Sequence, residues 1–507
     1  MIKEREVTTV NDYTLAKDFP LTKGQNEIIE YMLQRPTAIC GAQTGFGKTY
    51  CLSTALCLML LRFKDTHAFV LAPPKALKGF KKELSTKLKI RYNIITSQEV
   101  QHIPGARITL VSTTCLDKAC PEIVKMKSEG KKLMLLVDEY HCCQSPDSKI
   151  YKRLQNIRSL FTIMWGATAT PLKNDVEGLY WMLTLLNPRI LGTWQMFRAR
   201  FLITERHSVS QKTKNGKYIS RFVEEVIGFK NVDQLQNLLA QYIIIKQQPY
   251  NLNFIYNRVQ LEQKEIEKYL VAGRGLLRES SESNWAVRLH DLQQVIDNIQ
   301  PEYRQEDLTN KEKLFLKVLI ERLREGSPCL VYCDYNEGIN RLESILTKFK
   351  TNLQLKAIYK VTGDIDMAKR EKVEDLIKPN TVTLITSAGT ESINLQKANT
   401  MIFYDVPFSI LTFIQAVGRI TRIDTKFKSQ NIHIIESFGT IDTYKRLLIQ
   451  INGNMIKALF GDIATLPLEL SVSDKNMIYK LKNTLLWAFK NRRLITEEEL
   501  QKILGGI

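Results

Sequence analysis

A glycine-rich segment between an apolar strand and an apolar helix constrains this chain more than any other feature of its sequence. The segment reads Ala42-Gln-Thr-Gly-Phe-Gly-Lys-Thr49, and the apolar stretch Tyr50–Phe63 follows it directly. Glycines at positions 45 and 47 let backbone N–H groups curl around phosphate oxygens, and the start of a helix adds partial positive charge. The segment predicts a phosphate loop, in which Lys48 reaches the β- and γ-phosphates and the Thr49 hydroxyl binds Mg²⁺.

A second segment carries the acidic groups that such a loop needs. The apolar run Leu133–Val137 ends in Asp138-Glu139-Tyr140-His141. Carboxylates at the carboxyl end of a central strand lie beside a phosphate loop in an open α/β sheet. We expect Asp138 to hold Mg²⁺ through water and Glu139 to polarise the attacking water. Two adjacent acids also occur in solvated turns, but the preceding loop favours the metal site.

Composition narrows the class of partner. The chain has 507 residues, enough for at least two domains, and a formal net charge of +19. Such a surplus indicates nucleic acid or an anionic membrane, although a generically basic protein has the same signature. The stretch Tyr50–Phe63 is too short to span a bilayer, and Met1–Val10 lacks the apolar core of a signal peptide. The nine cysteines show no metal-ligand spacing. We therefore expect a cytoplasmic protein with reduced cysteines and a nucleic-acid partner.

Two regions show short apolar strands alternating with amphipathic helices, the pattern of parallel α/β sheets. The predicted strands are Thr37–Cys40, Ala68–Ala72, Ile108–Ser112, Leu133–Val137 and Ile163–Gly166, then Cys329–Cys333, Leu355–Val361, Thr383–Thr386, Met401–Tyr404 and Ile432–Glu436. We predict four segments: an N-terminal lobe at 1–185, a helical insertion at 186–311, a C-terminal lobe at 312–450 and a helical tail at 451–507. Asn215-Gly216 predicts a hairpin turn within the insertion, and Thr496 with Glu499 predicts a capping box in the tail.

The loop and the Asp-Glu-x-His box resemble superfamily 2 DExH helicases and translocases, and the chain is most similar to their Swi/Snf-type branch. In the first half, the matching segments are Leu21–Gln25, Val70–Lys75, Val111–Thr114 and Gly166–Asn174. In the second half they are Val361–Gly363 with Arg370, Thr386–Leu395, Gln415–Ile423 and Phe438–Asp442. The segment Arg200–Val232 looks like the annealing-helicase (HARP) branch, and the compact, lysine-rich chain would suit a virus or phage, with the host cytoplasm as its location.

This resemblance implies two RecA-like parallel-sheet lobes in tandem, with helical insertions, a helical C-terminal tail and ATP and Mg²⁺ as cofactors. It implies that Arg419 and Arg422 reach the γ-phosphate from the second lobe, with Gln415 beside them. It assigns catalytic roles to Lys48, Asp138, Glu139, Gln415, Arg419 and Arg422. It assigns nucleotide contacts to Gln25, Thr44, Gly45, Phe46, Gly47, Lys48, Thr49 and Gly389, and metal contacts to Thr49 and Asp138.

DNA contacts are predicted on both lobes and on the hairpin. The candidates are Lys75, Lys78, Thr114, Thr168, Thr170, Thr362, Gly363, Ser387, Asn394, Lys214 and Lys217. The resemblance implies that lysines at the end of the matching segment Val70–Lys75 and after it track the phosphate backbone, although a lysine run is also typical of a solvated helix face. Proteins of this branch act on duplex, forked or branched DNA, which makes RNA the less favoured partner.

Several alternatives remain open from the sequence. The triplet Thr168-Ala-Thr170 is shared with strand-separating helicases on DNA or RNA, and Ile245-Lys246 stands where the branch has paired arginines. The chain could instead be the motor of a restriction or defence complex, although no acidic nuclease pattern is visible. A nucleic-acid scaffold without ATPase activity is a further alternative, but the catalytic set is complete. Our leading hypothesis is a DNA translocase, expected to be a monomer, which remodels branched or forked DNA in replication, recombination or repair.

Overall fold

A computed structural model of the chain describes residues 21–43, 45–169, 171, 176–212, 218–246, 251–277, 282–387, 395–421, 425–427, 429–460 and 476–504. These residues fall into two compact units. The first lies within Met1–Phe197 and Asp233–Gln248, and the second within Arg198–Val232 and Pro249–Ile507.

The first unit is an α/β unit around an eight-stranded sheet. Its strands are β1 (Thr37–Ala42), β2 (Thr66–Ala72), β3 (Asn93–Ile95), β4 (Val100–Gln101), β5 (Ile108–Ser112), β6 (Lys132–Val137), β7 (Ile163–Ala167) and β10 (Ile243–Lys246). The sheet order is β10-β1-β7-β6-β2-β5-β3-β4, and all pairs are parallel except β3 with β4. The helices are α1 (Lys23–Leu33), α2 (Lys48–Arg62), α3 (Pro74–Lys82), α4 (Leu116–Ser128), α5 (Lys149–Ile157), α6 (Val176–Leu186), the first half of α7 (Trp194–Phe201) and α8 (Val232–Ala240).

The second unit contains a six-stranded parallel sheet and a long hairpin. Its sheet has the order β11 (Asn251–Val259), β16 (Ser429–Ser437), β15 (Thr400–Phe403), β12 (Cys329–Tyr332), β14 (Thr381–Ile385) and β13 (Ala357–Val361). The hairpin pairs β8 (Leu202–Lys212) with β9 (Tyr218–Phe229). The helices are α9 (Gln263–Leu277), α10 (Glu282–Ile296), α11 (Asn310–Arg324), α12 (Asn336–Lys348), α13 (Met367–Leu376), α14 (Ile410–Val417), α15 (Ile441–Phe460), α16 (Asn476–Lys490) and α17 (Glu497–Leu504).

The predicted α/β fold class with two parallel sheets is confirmed, and each predicted strand overlaps an observed one. The residues between positions 186 and 311 contain more strand than predicted, since β10 and β11 lie there, each at one edge of one of the two sheets. An edge strand has one neighbour and keeps polar residues, as in Asn251–Val259, so its sequence lacks the apolar run of a central strand. The four predicted segment boundaries stay a prediction. Among the described residues, no helix has the length and apolar character needed to cross a membrane.

The central strands of the first sheet are buried, and one of them carries an ionisable group. His67 on β2 is 4% exposed, and its Nε2 lies 2.8 Å from Thr109 Oγ1. Burial, with smaller contributions from Lys131 and Arg107, lowers the pKa of His67 to about 4. The neutral imidazole is therefore part of the folded core.

Acid should destabilise the protein partly through His67. As the pH falls, His67 is protonated near its ordinary pKa of about 6.5 in the unfolded chain, but only near pH 4 in the folded chain. The contribution of His67 to the free energy of unfolding is therefore fully present above about pH 6.5. It is lost as the pH falls to about 4, which lowers the free energy of unfolding by about 3 kcal/mol. We expect His67→Gln to lose less unfolding free energy between pH 7.5 and 5 than the wild type in urea titrations. Parallel losses in the two proteins would contradict this assignment.

Candidate active site

The predicted phosphate loop joins β1 to α2 in the first unit. Gly45 and Gly47 have φ values of 85° and 87°, in the left-handed region that favours glycine. A Cβ atom at Gly47 would lie 2.7 Å from Gln25 Nε2, so a larger residue would also displace that side chain. These two glycines turn the backbone into the first turn of α2, which places N–H groups around the end of the strand.

Lys48 and Thr49 are the first two residues of α2. The Lys48 ammonium donates a hydrogen bond to the Ala42 carbonyl at 2.8 Å, which holds it across the loop. The Thr49 side chain is half-buried. The rest of α2 is apolar and buried from Tyr50 to Leu60, so the core fixes the position of both residues.

Gln25 joins helix α1 to the loop. Its amide nitrogen donates to the Phe46 carbonyl at 3.0 Å, and its amide oxygen accepts from Thr22 N at 2.9 Å. With the Thr22 side chain, it forms a capping box at the start of α1. Gln25 is 7% exposed and Phe46 is 2% exposed, so this contact is enclosed.

The acidic box follows β6 at the same edge of the sheet. Asp138 is 8% exposed, and its backbone N–H donates to Leu71 O at 2.8 Å. Burial, together with repulsion from Glu139, raises the pKa of Asp138 to about 7, while the nearby positive charge of Lys48 opposes the rise. The structure therefore brings Lys48 and Asp138 into one electrostatic neighbourhood, as the sequence predicted.

Glu139 has a backbone conformation that is uncommon for its residue type. Its φ is 51°, in the left-handed region, and its Oε2 lies 3.1 Å from His141 Nδ1. His141 Nδ1 also lies 3.4 Å from Thr168 Oγ1, beyond the end of β7. His141 thus connects the acidic box with Thr168. The sequence pattern indicates roles for Asp138 and Glu139 but none for His141.

The buried side chain of Tyr140 anchors the turn that follows β6. Its hydroxyl donates to Met182 O at 3.1 Å, and its side chain is fully buried. A Cβ atom at Gly166 would lie 2.6 Å from the Tyr140 ring, so only glycine fits there without displacing the ring. In the sequence, the glycine of Gly166-Ala-Thr168 is the feature that could have indicated this packing of the Tyr140 ring against the backbone.

In the second unit, Gln415 and Arg419 of the matching segment Gln415–Ile423 lie at the end of α14 and just beyond it. Gln415 is half-buried on the helix, whereas Arg419 follows it in a turn and is 8% exposed. The Arg419 carbonyl accepts from Leu395 N at 3.2 Å, which connects this turn with the last residue of the matching segment Thr386–Leu395. The reach of Arg419 to a nucleotide bound in the first unit stays a prediction.

The candidate DNA contacts differ in exposure. Lys75 and Lys78 are exposed on α3, whose opposite face buries Leu77 and Phe80. Thr114 is also exposed, in a short turn after β5, whereas Thr168 is fully buried. Thr362 is 6% exposed beside the exposed Gly363, and Ser387 is half-buried.

Lys75, Lys78, Thr114 and Gly363 are thus exposed, whereas Thr168 and Thr362 are buried, and the DNA contacts of these residues stay a prediction. Other predicted site residues lie outside the described residues: Thr44, Thr170, Gly389, Asn394, Arg422, Lys214 and Lys217.

The chain matches two protein-family models, one in each half of the sequence. The SNF2-related domain matches residues 25–269, and the helicase conserved C-terminal domain matches residues 310–424. A Bacillus subtilis protein described as an uncharacterized ATP-dependent helicase, YqhH, is 23% identical over 86% of this chain and 78% of its own length.

Longer relatives match over a smaller share of their own length. The DNA repair and recombination protein RDH54 of Saccharomyces cerevisiae is 23% identical over 65% of this chain and 38% of its own length. The chromatin-remodeling factor PICKLE of Arabidopsis thaliana is 22% identical over 74% of this chain and 26% of its own length. A solved structure of the Sulfolobus solfataricus SWI2/SNF2 ATPase core with dsDNA is 17% identical, covers 96% of this chain and 97% of its own, and has a TM-score of 0.38. With both family matches in this order and the phosphate loop and acidic box together in the first unit, the chain is an ATP-hydrolysing enzyme of the SNF2-related helicase family.

Proposed function

We propose that this enzyme is a translocase that couples ATP hydrolysis to movement on duplex DNA and remodels branched or forked DNA. The proximity of Lys48 and Asp138 at one edge of the first sheet is the observation that carries the proposal. It provides a cation for phosphate and a carboxylate for a metal at the same edge of the sheet. The repair and recombination relative RDH54 and the resemblance to annealing helicases support DNA as the substrate.

Each residue of the site has a distinct role in this proposal. Gln25 reads the adenine base, and Lys48 binds the β- and γ-phosphates. Glu139 orients the attacking water, with His141 fixing the carboxylate. Arg419 and Arg422 stabilise the charge that develops on the γ-phosphate, so hydrolysis depends on the second unit.

The donor set fits Mg²⁺, a hard cation that takes oxygen ligands. Thr49 offers a hydroxyl and Asp138 a buried carboxylate, with Lys48 as the positive group acting on it. A bound Mg²⁺ would neutralise phosphate charge during the transfer. Thr49 and Asp138 would hold the ion, and ionised Asp138 is the form required.

The surface charge supports a nucleic-acid partner. The chain has a net charge of +19, and Lys75, Lys78 and Lys82 are exposed on α3. Such groups neutralise backbone phosphates without reading sequence, so binding should weaken as salt increases. A duplex contacted by both units would advance when ATP binding and release change their arrangement.

ATPase rates across nucleic acids test this function. We would compare single strands, duplex, forks, four-way junctions and RNA at one fixed salt concentration. The proposal expects stimulation by DNA with a duplex segment, strongest with forks or junctions. Stimulation by single strands alone, or by RNA alone, would contradict it.

A strand-separating helicase is the second candidate, favoured by the Thr168-Ala-Thr170 triplet and by the helicase description of YqhH. A labelled fork assay that counts both unwound and re-annealed products separates the two functions. The translocase should re-anneal strands or reverse the fork, whereas net strand separation would support the helicase.

The hairpin of β8 and β9 is the proposed contact with a DNA junction. Its paired strands extend from Leu202↔Phe229 to Lys212↔Tyr218, about 35 Å at the usual rise of a strand. Deleting residues 210–218 removes the predicted turn with Lys212, Lys214 and Lys217, while the paired strands nearest Leu202 and Phe229 remain. We expect unchanged ATPase activity on linear duplex and at least about tenfold weaker action on forks, since phosphate contacts are lost.

Replacing Lys214 and Lys217 by glutamine is the control that separates charge from length. Loss of fork activity in both variants would assign the effect to charge. Equal loss of activity on linear duplex and on forks would contradict the junction role.

A further inference from the structure

Lys246 ends the last strand of the first unit and is attached to the phosphate loop through its backbone. Strand β10 runs parallel to β1, with Ala42 opposite Lys246. The N–H of Gln43, the next residue of the loop, donates to the Lys246 carbonyl at 3.0 Å. The end of β10 therefore sets the point at which the loop leaves the sheet.

The Lys246 side chain reaches in the other direction, to helix α1. Its ammonium forms a hydrogen-bonded ion pair with the Glu27 carboxylate. The hydrogen bond from Lys246, followed by its charge, lowers the pKa of Glu27. Glu27 lies two residues after Gln25, whose amide holds the Phe46 carbonyl. One lysine thus contacts both the loop and the helix that carries Gln25.

Helix α1 is attached to the segment around β10 at its other end as well. The Tyr31 hydroxyl donates to Ala240 O at 2.9 Å, and Arg35 Nε donates to Gln241 O at 2.9 Å. These bonds hold the C-terminal half of α1. The Glu27–Lys246 pair lies one turn closer to the start of α1, in the half of the helix that bears Gln25.

We propose that Lys246 and Glu27 are positioning residues that set nucleotide affinity and base selectivity by holding Gln25 against the loop. This inference rests on the proposed ATP site. Neither residue is assigned to the phosphates or to the attacking water. Loss of the pair should therefore weaken binding in the ground state and the transition state alike, which changes KM rather than kcat.

Kinetics of Lys246→Met test the inference. We expect the KM for ATP to rise about fivefold to tenfold with kcat within about twofold, the signature of lost uniform binding. The preference for ATP over GTP in kcat/KM should fall, since Gln25 is held less firmly. Lys246→Arg should restore both values, and the double exchange of Glu27→Lys with Lys246→Glu should recover part of them.

Arg153→Met is the matched control. Arg153 pairs with Asp117 at 2.6 Å in the same unit, between α5 and α4, and both groups are exposed. This variant should keep the wild-type KM and base preference. Lys246→Met kinetics that match the control, or a fall in kcat and melting temperature without a change in KM, would overturn the inference.

The binding of a fluorescent ATP analogue separates this inference from the proposed function. If the wild type binds the analogue but shows no turnover, the proposed function fails and the Kd of Lys246→Met still tests the pair. If the wild type hydrolyses ATP and Lys246→Met binds and selects normally, only the positioning role fails.

Discussion

Replacing Lys48 by alanine should abolish ATP turnover while the protein stays folded. The ammonium is held across the phosphate loop by the Ala42 carbonyl at 2.8 Å, at the first residue of α2. Its removal takes away a positive group where charge develops on the transferred phosphate, so kcat should fall by about 10³-fold or more. Since the side chain is only half-buried, the substitution leaves no cavity in the core. A coupled assay of phosphate release with saturating duplex DNA measures the effect.

Lys64→Ala is the matched control for this variant. Lys64 is exposed just after α2 in the same unit, so its loss should leave kcat within about twofold of the wild type. Turnover by Lys48→Ala within tenfold of the wild type would place hydrolysis elsewhere in the chain.

Replacing Glu139 by glutamine should separate ATP binding from hydrolysis. Glutamine keeps the shape of the side chain but cannot accept the proton of the attacking water, so the rate of the chemical step should fall by about 10²–10⁴-fold. Repulsion from Glu139 contributes to the raised pKa of Asp138. Without that charge Asp138 ionises more readily, so nucleotide binding with Mg²⁺ should be equal to or tighter than that of the wild type.

Single-turnover hydrolysis and analogue binding, measured on the same sample, check both halves of this expectation. Glu129→Gln, at an exposed position of the first unit, is the control and should behave as the wild type. Weaker nucleotide binding by Glu139→Gln would contradict our assignment of Glu139 to the water rather than to the phosphates.

The central strands of both sheets were predictable because they are buried on both faces and read as apolar runs. The strand Leu133–Val137 lies within the observed β6, and the capping box of Thr496 with Glu499 is present at the start of the last helix. The edge strand β11 was missed because one-sided pairing leaves polar residues in it. Strand β10 has only four residues, Ile243–Lys246, and a run of three isoleucines is too short to indicate a strand by itself.

The chemical groups of the site were predictable from short segments, whereas their supports were not. The loop around Lys48 and the box at Asp138 each form from adjacent residues. The ion pair of Glu27 with Lys246 joins positions 219 residues apart, and no local pattern indicates it.

The same limit applies to Lys311, which is fully buried between Asp297 at 2.7 Å and Asp442 at 2.8 Å. In the sequence it is one lysine among many, and only tertiary packing shows that it is enclosed. Charged residues of a helical segment read as solvent-facing unless their distant partners are known.

The distance between the two units as ATP binds tests the central claim most directly. Fluorophores would be placed by unnatural amino acids at Ser128 and Lys350, exposed positions in the first and second units. In the Glu139→Gln background, which should hold ATP without hydrolysing it, we predict a change in energy transfer on adding ATP with duplex DNA, and its loss when Arg419→Ala is added. Energy transfer that does not respond to ATP, or that responds equally without Arg419, would contradict an ATP site completed by the second unit.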